Sequence, residues 1–248
     1  MMTPWFEADW PAPHGVRALS TLRGDAHNGA SQAPYDGFNL GDHVGDDPAA
    51  VAENRRRLKI AAALPSEPCW LSQVHGIAVA DLDSPTAPGP ADAAIARGPA
   101  QVCVILTADC LPVLFASDSG DTVAAAHAGW RGLAAGVIEA TVHVMGVPPG
   151  RLLAWLGPAI GPKVFEVGPE VRDAFLKADP QSSGAFEPNA RGRFMADLGL
   201  LARRRLQSLG VSRIYGGGEC TFTQADRYYS HRRDGVTGRQ ATLIWREG

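Results

Sequence analysis

Six short apolar runs follow one another between residues 70 and 127: Trp70–Val74, Ile77–Leu82, Ala91–Ala96, Val102–Thr107, Pro112–Ser117 and Thr122–His127. Parallel neighbours need crossovers of roughly a dozen residues or more, whereas antiparallel ones need only a tight turn. The crowding therefore predicts a mixed, largely antiparallel sheet. Around it the sequence reads as a strand at Val16–Leu22, a Gly/Ser/Asn/Pro-rich loop to Gly41, and a helix opened by Asp47-Pro48 and running to about Leu64. Further helices are expected at Trp130–Met145, stopped by Gly146, at Pro169–Ala178, and from the cap Asp197 to Leu209. Strands are expected at Leu152–Leu156, Val164–Val167, Ser212–Tyr215 and Ala241–Trp245, with a flexible loop over Gln181–Gly192. No repeat or linker interrupts this order, so the expectation is a single α+β domain over residues 1–248, a sheet core flanked by helices.

Several function classes are disfavoured at once. A formal net charge of -3 offers no general attraction to a phosphate backbone. The arginine runs 55–57 and 203–205 fall inside predicted helices and read as solvated, so no nucleic-acid partner is expected. No apolar stretch reaches membrane-spanning length, and Met1–Pro11 lacks the pattern of a secretory signal. Cysteines at 69, 103, 110 and 220 are too few and too scattered for a disulfide framework, which points to a cytoplasmic setting. Dinucleotide-binding and P-loop glycine motifs are absent.

The chemistry concentrates in Ala108-Asp109-Cys110 and His127-Ala128-Gly129-Trp130-Arg131-Gly132, separated by a turn at Ser117–Asp121. If that turn holds an even number of residues, His127 lies opposite Pro112, and Cys110 shares its face. Diagonal neighbours of this kind are about 7–8 Å apart at the backbone, so the two side chains can share one ion. His75, in Gln73-Val74-His75-Gly76, is the third candidate, although spacing alone does not set its distance from the others. Three His/Cys ligands leave one position of tetrahedral zinc for water or substrate, as a catalytic site requires, and the ion brings the pKa of bound water near neutrality. Taken singly, each residue reads better as ordinary packing than as a ligand. A second reading makes Cys110 a thiol nucleophile with His127 as its base and His75 as orienting or substrate-binding group. A third keeps zinc as a structural staple in a binding protein, with Cys220 or His43 as fourth ligand.

The same segments resemble the YfiH-type laccase-domain family, whose members are described as zinc-dependent purine nucleoside phosphorylases. The resemblance runs through Tyr35–Pro48, Asn54-Arg55, Gln73–Gly76, Ala108–Cys110, His127–Gly132, Leu156–Pro162, Phe165–Gly168, Cys220-Thr221 and Tyr228–Gly235. It implies a YfiH-like fold, metal ligands at His75, Cys110 and His127, and a small-molecule purine nucleoside with phosphate as co-substrate. The implied reactions are phosphorolysis of adenosine, inosine, guanosine and methylthioadenosine, and hydrolytic deamination of adenosine, which suits attack on the purine C6. Relatives are also linked to copper-dependent polyphenol oxidation and to a cytoplasmic amidase acting on cell-wall precursors. The sequence departs from the family at Asp25–Ala30, where a plainer Gly-Gly-Val-Ser type of turn is expected.

Five further residues are candidates for substrate contact. Asn39 and His43 lie in the long early loop. Arg131 opens the helix after His127, where free N–H groups favour anions, although a plain surface arginine fits as well. His231 and Arg233 belong to Arg227–Arg239, read either as a solvated hairpin or as a phosphate- or ribose-binding loop. Cys220 is expected to pack in the core. A laccase needs a trinuclear copper cluster in addition to a His/His/Cys site. Seven scattered histidines without a His-x-His pair make copper the lesser expectation beside zinc.

Overall fold

The computed structural model describes residues 4–25 and 27–247. The start of the N-terminal segment read above, Met1–Thr3, lies outside them, as does Ala26 in the departing turn. In chain order the elements begin with β1 (Trp5–Glu7), β2 (Val16–Thr21), α1 (Pro48–Ala61), β3 (Val79–Asp81), β4 (Ala93–Ala96), β5 (Val102–Thr107), β6 (Leu111–Ser117) and β7 (Val123–Ala128). They continue with α2 (Trp130–Ala135), α3 (Val137–Met145), β8 (Leu152–Leu156), β9 (Glu166–Val167), α4 (Pro169–Ala178) and β10 (Phe186–Pro188). The last are β11 (Phe194–Ala196), α5 (Leu198–Ser208), β12 (Arg213–Gly216), α6 (His231–Asp234) and β13 (Gln240–Arg246).

The strands form three sheets, ordered β12-β8-β6-β7-β4-β3, β1-β2-β13-β5 and β10-β11-β9. All pairs are antiparallel except β12 with β8 and β3 with β4, so the α+β architecture is as expected. Period-two alternation distributes the core. On β6, Val113 and Phe115 face the helices α3 and α5, while Leu114 and Ala116 face Cys103 and Ile105 of the four-stranded sheet. On the far side of that sheet, Val104, Leu106 and Leu243 pack on Leu58 of α1 and on Phe38 and Leu40 of the early loop. Alanine-rich β4 and β7 thin the layer between the two large sheets. His127 has the parity of Val123 and Ala125 and so lies on the face turned toward the four-stranded sheet.

Helix α1 starts as its sequence dictates, with Asp47 accepting from the Ala49 N–H at 3.0 Å and Pro48 in the first turn. The expected helix Trp130–Met145 is instead two, because Gly136 adopts φ 103° and ends the first of them. Trp70–Val74 is not a strand. The Gln73 amide takes both backbone groups of Leu106, at 2.9 and 2.8 Å, so a side chain substitutes for the ladder. Gln181–Gly192 is not a free loop either, since Phe186 is buried 5.8 Å from Phe175 and anchors β10. Nor is Arg227–Arg239 a solvated hairpin. Tyr228 and Tyr229 are wholly buried, and Ser230 caps α6 by accepting from the Arg233 N–H.

The arginine runs are only partly solvated. Arg55 donates twice to the Leu40 carbonyl and lies 4.1 Å over the Trp70 ring, while Arg205 pairs with Glu139 at 2.6 Å. Among the described residues no helix is long and apolar enough to cross a membrane.

Candidate metal centre

The β6–β7 hairpin closes in the register that its turn implied, with Pro112 opposite His127. Cys110 precedes β6 and follows Asp109, which takes φ 95°. That rare conformation is held from three sides. The Asp109 carboxylate accepts from the Thr221 hydroxyl at 2.7 Å and the Arg232 N–H at 2.6 Å, and its carbonyl accepts from the Ile160 N–H. His75, likewise at positive φ, 59°, arrives on the loop between Gln73 and β3. One ligand atom from each of His75, Cys110 and His127 lies within 4.8 Å of the other two, a spread that one ion can bridge.

A fourth residue, unsuspected from the sequence, organises the site. Asp92 is fully buried, and its carboxylate accepts from the backbone N–H groups of Val74, His75 and Gly76 at 3.1, 2.9 and 2.6 Å. It also lies 2.8 Å from His127 Nδ1. This fixes the His127 tautomer so that Nε2 is the free ligand atom, and the same carboxylate clamps the strained His75 turn. The available signal was a carboxylate within the apolar run Ala91-Asp92-Ala93-Ala94, since a buried charge requires partners.

Gly129 supplies a separate test of fit. A Cβ there would stand 2.8 Å from Cys110 Sγ, 3.1 Å from His75 Nδ1 and 3.4 Å from His127 Nε2, so the three ligand atoms converge on one bare spot of backbone. Electrostatics agree. Burial and the neighbouring His127 push His75 toward its neutral, ligating form. Burial also disfavours charge on His127, but the Cys110 sulfur and Asp92 outweigh it and hold the metal-free ring up to about 9. Asp92 itself stays ionised, because its hydrogen bonds from His127 and the turn overcome its burial. Neither His43 nor Cys220 joins the ligand group among the described residues, so the staple reading lacks its fourth protein ligand.

The ligands form part of the wall of a cavity of about 290 Å³, shared with His43, Gln73, Leu106, Thr107, His231 and Arg239. The structure thus brings His43 and His231 to the three ligands. Asn39 is spent elsewhere: its amide joins Gly41 and Asp46 and accepts from the Arg239 N–H, bracing the loop. Arg233 donates to the carbonyls of Thr221, Phe222 and Tyr228 and pairs with Asp234. Arg131 is exposed, 4.6 Å over the Trp130 ring. Cys220 is half-buried rather than core, its sulfur accepting from the Gly161 N–H at 3.2 Å.

Fold and site together define a class: a single-domain α+β protein with one His/Cys/His group arranged to hold a metal in the wall of a small cavity. Residues 18–247 match the family described as multi-copper polyphenol oxidoreductase laccase, and the chain belongs to that family. It is 56% identical over 245 residues to purine nucleoside phosphorylase PA4543 of Pseudomonas aeruginosa, covering 98% of this chain and 99% of that protein. It is 52% identical to purine nucleoside phosphorylase YfiH of Escherichia coli, with 95% and 96% covered. Among solved structures, the Neisseria meningitidis protein NMB0706 superposes with a TM-score of 0.94 at 46% identity, covering 99% of this chain and 100% of that one.

Proposed function

We propose that this chain is a zinc-dependent purine nucleoside enzyme that splits adenosine, inosine, guanosine and methylthioadenosine with phosphate and hydrolytically deaminates adenosine in the same cavity. The observation carrying this is the convergence of the His75, Cys110 and His127 ligand atoms within 4.8 Å, in the wall of a cavity of about 290 Å³. That volume is close to the lower limit of roughly 300 Å³ for small-molecule sites, suited to one nucleoside. The names of the relatives support the purine assignment. Two neutral nitrogens and one sulfur suit zinc, and a bound ion would supply Lewis acidity and bring a water's pKa near neutrality.

The chain's own groups supply the rest. Asp92 holds the His127 ring in one tautomer, and His43 and His231 line the same cavity as candidate contacts to the sugar or base. Gln73 closes one wall by locking onto Leu106. Purified protein given adenosine is expected to yield adenine only when inorganic phosphate is added, and inosine without it, resolved by chromatography.

A second reading has its own observation. Asp92 holds His127 Nδ1 at 2.8 Å and the Cys110 sulfur lies within 4.8 Å of the same ring, the order that a thiol nucleophile and its base require. A metal-stripped preparation that cleaves amides, while neither adenine nor inosine forms with the metal restored, would establish it in place of the purine reading.

A further inference from the structure

Phosphorolysis needs a seat for phosphate, and the two arginines named as substrate candidates in the sequence, Arg131 and Arg233, do not provide one. Arg131 lies on the surface against Trp130, and the guanidinium of Arg233 is taken up by three carbonyls and Asp234. Arg239 is different. It lines the metal cavity, and burial holds its pKa below the usual arginine value. Its stem lies where a Gly41 Cβ would approach Cγ to 2.7 Å, so only glycine at position 41 admits it. Asn39 accepts from its backbone N–H at 2.8 Å, and the Thr237 and Gly238 carbonyls accept from Nη1 at 2.9 Å each. Among the described residues Arg239 makes no ion pair. Its Nε and Nη2 have no hydrogen-bond partner among the described residues, and although Cys110 and Asp109 lie near enough to favour its charge, burial outweighs them, which leaves the guanidinium costly beside the cavity unless an anion arrives.

A second observation points to the same place. Thr107 is 2% exposed and forms part of the same cavity wall, yet its hydroxyl has no hydrogen-bond partner. Buried hydroxyls rarely go unsatisfied. In the sheet, Gln240 pairs with Thr107, so Arg239, one residue earlier, leaves β13 at the edge where Thr107 ends β5. Thr107 and Arg239 thus stand at the same end of the β5–β13 pair, and both line the cavity that the three candidate metal ligands share.

We infer that Arg239 and Thr107 form the inorganic phosphate subsite of the cavity, with Arg239 the residue that selects the anion. The inference rests on the phosphorolytic reading above. In the reaction it serves, an oxygen of monohydrogen phosphate forms a bond to the ribose C1′ as the C1′–N9 bond breaks. The bonding pair leaves on N9, and the phosphate's proton goes to the purine.

The test is a thermal-shift titration of the full chain with inorganic phosphate and, separately, with adenosine 5′-monophosphate. It is paired with steady-state kinetics that vary phosphate at fixed adenosine. Phosphate is expected to raise the wild-type Tm. Arg239→Gln should weaken that response about 10- to 100-fold, as expected for a lost charge-assisted hydrogen-bond pair, and Arg239→Lys should recover part of it. Thr107→Val removes a hydroxyl that has no partner in the free protein, so it should fold normally and weaken phosphate about three- to tenfold. This second variant keeps the test decisive if Arg239→Gln fails to fold. In turnover, the KM for phosphate should rise in step while the KM for adenosine moves less than about twofold. Unchanged phosphate titration in Thr107→Val and in either folded Arg239 variant would overturn the assignment, as would stabilisation by the nucleotide but not by inorganic phosphate. If wild-type protein binds phosphate through Arg239 but releases no adenine, the subsite stands and the phosphorolytic reading fails.

Discussion

Gly129→Ala is the substitution that best separates the metal site from the fold. The backbone at Gly129 has φ -59° and ψ 155°, a conformation open to any residue, and it only precedes α2. Alanine therefore introduces no backbone strain. Its methyl group, however, would lie 2.8 Å from Cys110 Sγ, 3.1 Å from His75 Nδ1 and 3.4 Å from His127 Nε2. Comfortable carbon contacts lie at about 3.5–4.0 Å, so the sulfur must retreat by roughly 0.7 Å or more and the His75 ring by several tenths. Metal–ligand distances tolerate errors of only about 0.2 Å. Removing a group that merely orients a ligand costs about 10- to 100-fold in affinity, so displacing two ligands directly should cost more than about 100-fold, or roughly 2.7 kcal/mol. The assay is metal content after dialysis against a graded series of chelator concentrations, with circular dichroism and urea melts on the same samples. Native-like melts of the metal-free proteins should accompany the loss of metal. A chelator midpoint unchanged from wild type would refute the convergence of the three ligands on Gly129.

Asp92→Asn should be harsher. An amide cannot accept from three backbone N–H groups and also hold His127 Nδ1, so about 3–5 kcal/mol of stability should be lost in urea unfolding, together with metal affinity. Asn54→Ala should cost about 3 kcal/mol, because the buried amide accepts from the Ala30 N–H and donates to Ser31 and to the Asn39 carbonyl. It should also loosen the loop that carries His43, measured as faster amide exchange over residues 28–43. Metal affinity should fall as pH drops. His127 is held up to about 9 in the metal-free protein, so loading below that pH displaces its proton, and this group alone contributes about tenfold per pH unit in chelator competition. In the metal-free protein the same elevation stabilises the fold fully below 6.5 and is lost as pH rises through about 9.

Much of the site was legible because a hairpin is a ruler. Once Ser117–Asp121 is read as a turn with an even number of residues, alternation places His127 opposite Pro112, and the structure has that register. The strands around it, buried on both faces, were equally plain from their apolar runs. Less visible were the devices in which a side chain stands in for backbone. Gln73 supplies what looked like a strand, and Gly136 breaks what looked like one helix, because neither effect leaves a periodic trace. The substrate candidates fared differently from the ligands for a physical reason. Asn39 and Arg233 have the right chemistry in mobile-looking segments, but their hydrogen bonds are spent within those segments. Arg239 is turned to the cavity by contacts more than 190 residues apart in sequence, with Asn39 and Gly41. No local pattern encodes that pairing.

The family description and the names of the relatives point to different chemistry, and the ligand inventory bears on which one this chain can perform. Multi-copper oxidation shuttles electrons from a His/His/Cys copper to a separate histidine-rich cluster. The metal-binding geometry here is a single group, His75, Cys110 and His127, found alone of its kind among the described residues. His43 and His231 share the cavity but stand outside that group. His27 is an exposed residue beside Asp25, far in role from any cluster. A lone ion that keeps a free position suits Lewis-acid and hydrolytic work at one substrate centre, and nothing in the inventory supplies the second electron-accepting centre. Metal analysis across preparations loaded with zinc and with copper tests this directly. Purine turnover should follow the zinc-loaded protein, and copper loading should reach no more than one ion per chain. Four coppers bound with catechol oxidation would reverse the argument.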